Sequence, residues 1–223
     1  MFKALIFDMD GTLVGSEQMH WRAWSETLSA YGVGIPGFDT FGKYVGLSDE
    51  QTADDFIACA ALEIERARLI GEKRQRYLTL VPQIPLLGGV LALLKRSRPF
   101  YRLAVASSSP VSELMRILEH HRLEPLFEQV VGGDMVARKK PDPEIYLMVS
   151  RMLGLAPQDC LAFEDSQAGV ESAKQAGLTV VAVPQSMSKY HDLSRADARL
   201  TSLLEADDGF LAGLAAAQAA NRS

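Results

Sequence analysis

Lys3-Ala-Leu-Ile-Phe-Asp8-Met-Asp10-Gly-Thr-Leu-Val14 opens with a short, continuously apolar run and turns polar at once. An apolar run of that length without alternation is the pattern of a strand buried on both faces. At its carboxyl end stand two carboxylates two residues apart, followed by Gly11, which permits a tight turn. Asp and Gly are also ordinary turn formers at strand ends, so the motif alone reads equally well as a turn.

The same signature recurs outward along the chain. Tyr101 to Ser107, Gln129 to Asp134, Cys160 to Asp165 and Leu178 to Val183 are further short apolar runs. Helix-period segments lie between them: Pro110 to His121 carries Leu114, Ile117 and Leu118 on one face, and Pro143 to Leu153 stops at Gly154, a C′ glycine. Strands alternating with helices predict an α/β protein with a doubly wound, Rossmann-like parallel sheet. Asp8, Ser107, Asp134 and Asp165 would then end strands at the carboxyl edge, where such sheets place their binding crevice.

From Ser16 the alternation breaks. Met19, Ala23, Trp24, Leu28 and Tyr31 fall at helical spacing, Ser48-Asp-Glu-Gln51 fits a capping box before a helix with Phe56, Ile57 and Ala60 inward, and Glu63 to Leu80 reads as a third helix. This predicts an α-helical cap domain over 16–82 inserted into a core of 1–15 and 83–223, with crossings at Val14 to Ser16 and in the Pro/Gly-rich Val81 to Gly89. The Ala-rich end, Leu211 to Ser223, reads as a last helix with a frayed tail.

Composition narrows the function classes. Across 223 residues, 48% hydrophobic and 8% aromatic content excludes disorder and a fibrous role. Runs such as Leu178 to Pro184 are far shorter than the ~18 residues that span a bilayer, so no membrane partner is expected. The charge of −5 comes from 28 acidic and 23 basic residues mixed along the chain, without a basic block for a polynucleotide; no nucleic acid is expected. Cys59 and Cys160 form no CxxC pair and Phe2 to Phe7 reads as a strand rather than a leader, which together predict a reduced, cytoplasmic protein. Whether two chains associate is left open by the sequence.

Three more pieces carry chemistry. Ser107-Ser108-Ser109-Pro110 sets hydroxyls and N–H groups where a strand passes into a helix, a geometry that suits an anion; its plainer reading is a helix cap by Ser109. Lys139-Lys140 precedes a helix capped by Asp142, and a solvated charge pair is the ordinary meaning. Glu164-Asp165 ends an apolar strand. In a parallel sheet these two would sit beside Asp8 and Asp10, repelling by about 1 to 4 kcal/mol per close pair. A bound cation removes that conflict, and oxygen ligands without His or Cys favour Mg²⁺.

In this order, DxDGT at Asp8 to Thr12, Ser107, Lys140 and Glu164-Asp165, the chain strongly resembles the haloacid dehalogenase-like phosphotransferases, over nearly its whole length and including a helical cap after the first motif. The resemblance implies that Asp8 is the nucleophile forming an aspartyl phosphate and that Asp10 serves as acid, then base. Relatives cleaving carbon–halogen or carbon–phosphorus bonds lack the second Asp, so Asp10 implies phosphate esters. Ser107, the N–H of Ser108 and Lys140 would bind phosphoryl oxygens, and removing Lys140 should damage catalysis more than folding. Asp8 and Asp165 would hold Mg²⁺ by side chain and Asp10 by its carbonyl, with Glu164 at or just behind the ion. Asp134 would orient Lys140 or, more simply, serve a local turn.

Within this superfamily the chain looks most like sugar phosphatases and β-phosphoglucomutases. His20, Trp24, Gly46 and Lys73 stand where those relatives contact substrate, although His20 reads equally as a structural residue. Asp49 stands where the mutases carry an Arg that grips a second phosphate, and Gly15 where an Asp is common, a change expected to act on the cap hinge. The implied function is a Mg²⁺-dependent phosphatase of a small phosphorylated metabolite, a sugar phosphate. The alternatives are a β-phosphoglucomutase and a catalytically idle binding protein that kept the fold.

Overall fold

The computed structural model describes residues 1–35, 37–185, 188 and 191–220. The apolar runs are strands β1 (Ala4–Phe7), β2 (Arg102–Ser107), β3 (Gln129–Gly132), β4 (Cys160–Glu164) and β5 (Thr179–Ala182). A two-residue edge strand, β6 (Ala198–Arg199), is too short for any periodicity to announce. All neighbours are parallel, in the order β3-β2-β1-β4-β5-β6. This is the expected doubly wound arrangement, and the winding reverses beside β1, where a crevice opens at the carboxyl ends.

The break after β1 is helical, as expected: α1 (Glu17–Ser29), α2 (Asp49–Ala60) and α3 (Arg66–Leu80) enclose their own apolar cluster of Trp24, Leu28, Phe41, Tyr44, Ala53, Phe56, Leu69 and Ile70. The box at the start of α2 is complete, with Ser48 Oγ accepting the Gln51 N–H at 3.3 Å and Gln51 Oε1 accepting the Ser48 N–H at 2.9 Å. Tyr31 lies beyond the end of α1, and α3 starts at Arg66 rather than Glu63. Two antiparallel passes join this unit to the sheet: the Gly15 N–H donates to Pro85 O (3.0 Å) and the Leu87 N–H to Leu13 O (3.1 Å).

The remaining helices form two layers, as the strands' two-faced burial requires. Leu5 and Phe7 of β1 pack in a layer with α4 (Val90–Ser97) and α5 (Val111–His120), whereas Ala4 and Ile6 face α6 (Glu144–Met152) and α7 (Gln167–Ala176). A last helix, α8 (Asp208–Ala220), joins the first layer through Leu211. It starts earlier than its Ala-rich stretch suggested, and the expected tail at 221–223 lies outside the described residues. Helix α4 went unpredicted because it follows Gly89, at φ +87°, without a capping side chain. No helix among the described residues is long and apolar enough to cross a membrane.

Candidate active site

Asp8 is the first residue past β1, anchored by its N–H on Phe163 O at 3.0 Å. The turn that follows depends on Gly11. Its φ is +78°, and a Cβ there would lie 2.3 Å from Asp165 Oδ2. The expected neighbours do converge: Asp8, Glu164 and Asp165, all buried, each offer an oxygen within 4.8 Å of the others.

Lys140 enters this group from the loop before α6. It is 3% exposed, and its ammonium donates to Asp8 Oδ1 (2.7 Å), Glu164 Oε1 (2.6 Å) and Ala106 O (3.0 Å). Those bonds use every proton it has. The solvated-pair reading therefore fails for Lys140, while Lys139 turns aside to Gly133 O. Burial opposes the charge, yet Asp8 and Glu164 hold the ammonium above the ordinary lysine value, so it stays a cation. The Tyr146 hydroxyl also donates to Glu164 Oε1.

Two oxygens of the cluster, Glu164 Oε2 and Asp165 Oδ2, are buried without a hydrogen bond among the described residues. Burial, reinforced by Asp8, Glu164 and Glu17, pushes the Asp165 carboxyl well above the usual carboxylate range. Burial raises Asp8 likewise, against the pull of Lys140. Orphaned buried carboxylate oxygens with no His or Cys among them fit a hard cation such as Mg²⁺.

The Asp10 side chain has a different environment. Its Oδ1 accepts Ser16 Oγ (2.5 Å) and faces His20 Nε2 (3.2 Å), while Oδ2 accepts Ser109 Oγ (2.9 Å) and, more weakly, Ser107 Oγ (3.4 Å). Burial works against its charge, but His20 and the bonds from His20, Ser16 and Ser109 hold this carboxyl below the usual range.

Ser109 thus serves Asp10 and is not the helix cap. Pro110 is the N-cap of α5 and makes no side-chain cap bond. Asp134 closes that helix end instead, its Oδ1 accepting the Val111 N–H at 2.9 Å. The expectation that Asp134 orients Lys140 is corrected, since the ammonium bonds to Asp8, Ala106 O and Glu164; the local-turn reading holds, Asp134 lying in the single turn Gly133–Met135, with the bond to Val111 in addition. The N-cap of α6 is Pro143 rather than the expected Asp142, which instead accepts the Glu144 N–H at 3.0 Å from one residue before the cap.

Above this floor lies a cleft with about 750 Å³ of free space, and Ser107, Ser108, His20, Trp24 and Gly46 all line it. Gly46, at φ +79°, passes so close to Ser166 that a Cβ would come within 2.7 Å, bringing the cap loop onto the start of α7. His20 is stacked on Tyr77 with ring centroids 4.1 Å apart. Lys73 departs from its expected substrate contact. It is fully buried behind the wall, donating to Asp49 Oδ1 at 2.6 Å with its ammonium 3.0 Å from His20 Nδ1. The next residue, Arg74, faces the cleft, because adjacent helical residues point about 100° apart.

A family model described as haloacid dehalogenase-like hydrolase matches residues 5–183. The chain belongs to this family. Protein CbbY of Rhodobacter capsulatus is 36% identical over 212 residues, covering 90% of this chain and 93% of that protein. A phosphorylated carbohydrates phosphatase of Thermotoga maritima is 35% identical over 182 residues, 79% of this chain and 82% of its own. The crystal structure of a CbbY variant from Rhodobacter sphaeroides in complex with xylulose-1,5-bisphosphate superposes with a TM-score of 0.84 at 29% identity, covering 92% of this chain and 96% of the other.

The site of this haloacid dehalogenase-like hydrolase also brings in residues that no sequence pattern singled out. Ser16 and Glu17, directly after the first motif, bond Asp10 and line the cleft respectively. Their place beside DGTLVG was the available signal. Ser109 stood within the quoted serine run. Tyr146, buried on α6, and Arg74, one residue past Lys73, offered no local signal.

Proposed function

We propose that this hydrolase is a Mg²⁺-dependent phosphatase of a small phosphorylated carbohydrate, acting through a phosphoryl group carried on Asp8. One observation carries the reading: Asp8 lies at the cleft floor beneath Lys140, while Asp10 shares the floor with its own set of donors. An Asp8 oxygen bonds to phosphorus as the ester P–O bond breaks, and Asp10 delivers a proton to the departing alcohol oxygen. Asp10 then takes a proton from water, which attacks phosphorus and restores the Asp8 carboxylate. Its lowered pKa keeps Asp10 ionised before substrate arrives; the negative charge of an arriving ester raises it, the direction that both the acid and the base role need.

Ser107 Oγ and the Ser108 N–H bind the phosphoryl oxygens in this reading, and the Lys140 ammonium, its protons shared with Asp8, Glu164 and Ala106 O, stabilises their charge or gives up one of those bonds to reach them. Asp8, Asp165 and the Asp10 carbonyl, supported by Glu164, would hold Mg²⁺, which offsets charge at the transferring group. His20, Trp24 and Gly46 form the wall against which a sugar is selected. The relatives named for phosphorylated carbohydrates support the substrate class, and the isolated Cys59 and Cys160 support a cytoplasmic setting. A β-phosphoglucomutase is disfavoured by Asp49, whose carboxylate is engaged by Lys73.

The test is inorganic phosphate release with Mg²⁺ across hexose, pentose and polyol phosphates, phosphoglycolate and β-glucose 1-phosphate. Release from a group of sugar phosphates is expected. Silence toward all of them, or conversion of β-glucose 1-phosphate to its 6-phosphate without release, overturns the phosphatase reading.

A further inference from the structure

The cap side of the cleft carries a charge arrangement that the hydrolytic chemistry does not use. Among the described residues, the basic side chains that line the cleft are Lys140 and Arg74, apart from His20. Lys140 is committed to the floor. Arg74, a third exposed, points its Nε at Asp49 Oδ2 (3.3 Å) and at Glu113 Oε1 (3.4 Å), and its Nη2 lies 3.7 Å from Glu50 Oε1. Behind it the buried Lys73 shares the same Asp49 at 2.6 Å. Two cations therefore face three carboxylates, Asp49 and Glu50 from α2 and Glu113 from α5.

Resting on the phosphatase reading, we propose that Asp49 makes the cleft selective for carbohydrate monophosphates over bisphosphates by consuming the positive charge that a second phosphate would need. A second phosphate reaching this wall would have to take Arg74 from carboxylates that then face it with like charge. A hydroxylated, uncharged tail meets no such cost, because it exchanges hydrogen bonds with Asp49 and Arg74 without changing the net charge. Burial works against the charge of Asp49, but Lys73 and His20 keep its carboxyl low and ionised. Asp49 Oδ2 accepts a hydrogen bond from Arg74 Nε at 3.3 Å, whereas the almost fully buried Glu113 accepts none among the described residues and faces Arg74 only across the 3.4 Å ion pair, burial raising its carboxyl above the usual value.

The test is titration calorimetry with Mg²⁺ on the Asp8→Asn protein, in which turnover is silenced. The ligands are matched pairs: fructose 1-phosphate and 1,6-bisphosphate, glucose 1-phosphate and 1,6-bisphosphate, and ribulose 5-phosphate and 1,5-bisphosphate. The monophosphate of at least one pair should bind at least about tenfold tighter than its bisphosphate. Adding Asp49→Asn should narrow that gap; Glu113→Gln, which keeps the side-chain shape, should do the same should Asp49→Asn fail to fold. Bisphosphates binding as tightly as monophosphates overturn the inference, as does failure of every pair to bind. Hydrolysis of p-nitrophenyl phosphate by the unaltered enzyme separates the two failures: if it persists, the phosphatase reading stands and only the charge argument falls.

Discussion

Lys140 sits where three strand ends meet, and its three bonds tie Asp8, Glu164 and the β2 backbone into one unit. The sequence-based expectation that its loss would harm catalysis more than folding is revised by this burial. Breaking a buried ion pair from one side costs about 3 to 5 kcal/mol, so Lys140→Ala should lower the midpoint of urea denaturation sharply as well as abolish phosphate release. A variant with native stability would show that the ammonium is dispensable to the fold. Asp8→Asn is different, since it keeps an oxygen for Lys140. It should retain the fold by circular dichroism and lose essentially all turnover, and residual activity above about one per cent would remove Asp8 as the nucleophile.

At the scale of elements, packing against the site overrides local preference. Gly169 lies within α7, where Ala is the better helix former by about 1 kcal/mol. Here a Cβ would stand 1.9 Å from Glu164 Oε2, against the carboxylate that holds Lys140. Gly169→Ala is therefore expected to destabilise by about 1 to 3 kcal/mol, read as a lower Tm, and a raised Tm would show that Glu164 can move aside freely. The capping box of α2 was legible in four consecutive residues because both of its bonds are local. Ser48→Ala should cost about 1 kcal/mol in thermal denaturation. The second role of Asp134 was not legible, because it caps α5 from the end of a different strand, 23 residues away.

The whole molecule pays for its cluster of buried acids, and that cost depends on pH. With no metal bound, Asp165 has its pKa pushed well above the usual range by burial and by Asp8, Glu164 and Glu17. The folded protein then holds the proton more tightly than the unfolded chain does. Stability therefore falls as pH rises from the unfolded carboxyl value, about 4, through the raised folded one. Asp10 has the opposite sign: held low, it adds stability above the unfolded value that is lost only in stronger acid. In the proposed reading Mg²⁺ would take the place of the proton on Asp165, so the Tm gained on adding Mg²⁺ to chelator-treated protein should be larger near about pH 8 than near about pH 5.5. A gain that is absent or independent of pH would remove the metal from these carboxylates.

Much of this architecture was determined by the sequence alone. The strands, their alternation with helices, the helical break after Val14 and the carboxylates at strand ends are local patterns, because burial on two faces and tight turns each leave their mark within a few consecutive residues. The tertiary structure alone decided which side chains meet across those elements: Ser109 on Asp10, Tyr146 on Glu164, Asp49 on Lys73 and Arg74 on Glu113. Those partners are separated by 99, 18, 24 and, for Arg74 and Glu113, some forty positions along the chain. Hydrogen bonds and ion pairs form through space, at distances of a few ångströms that no periodicity in the chain encodes.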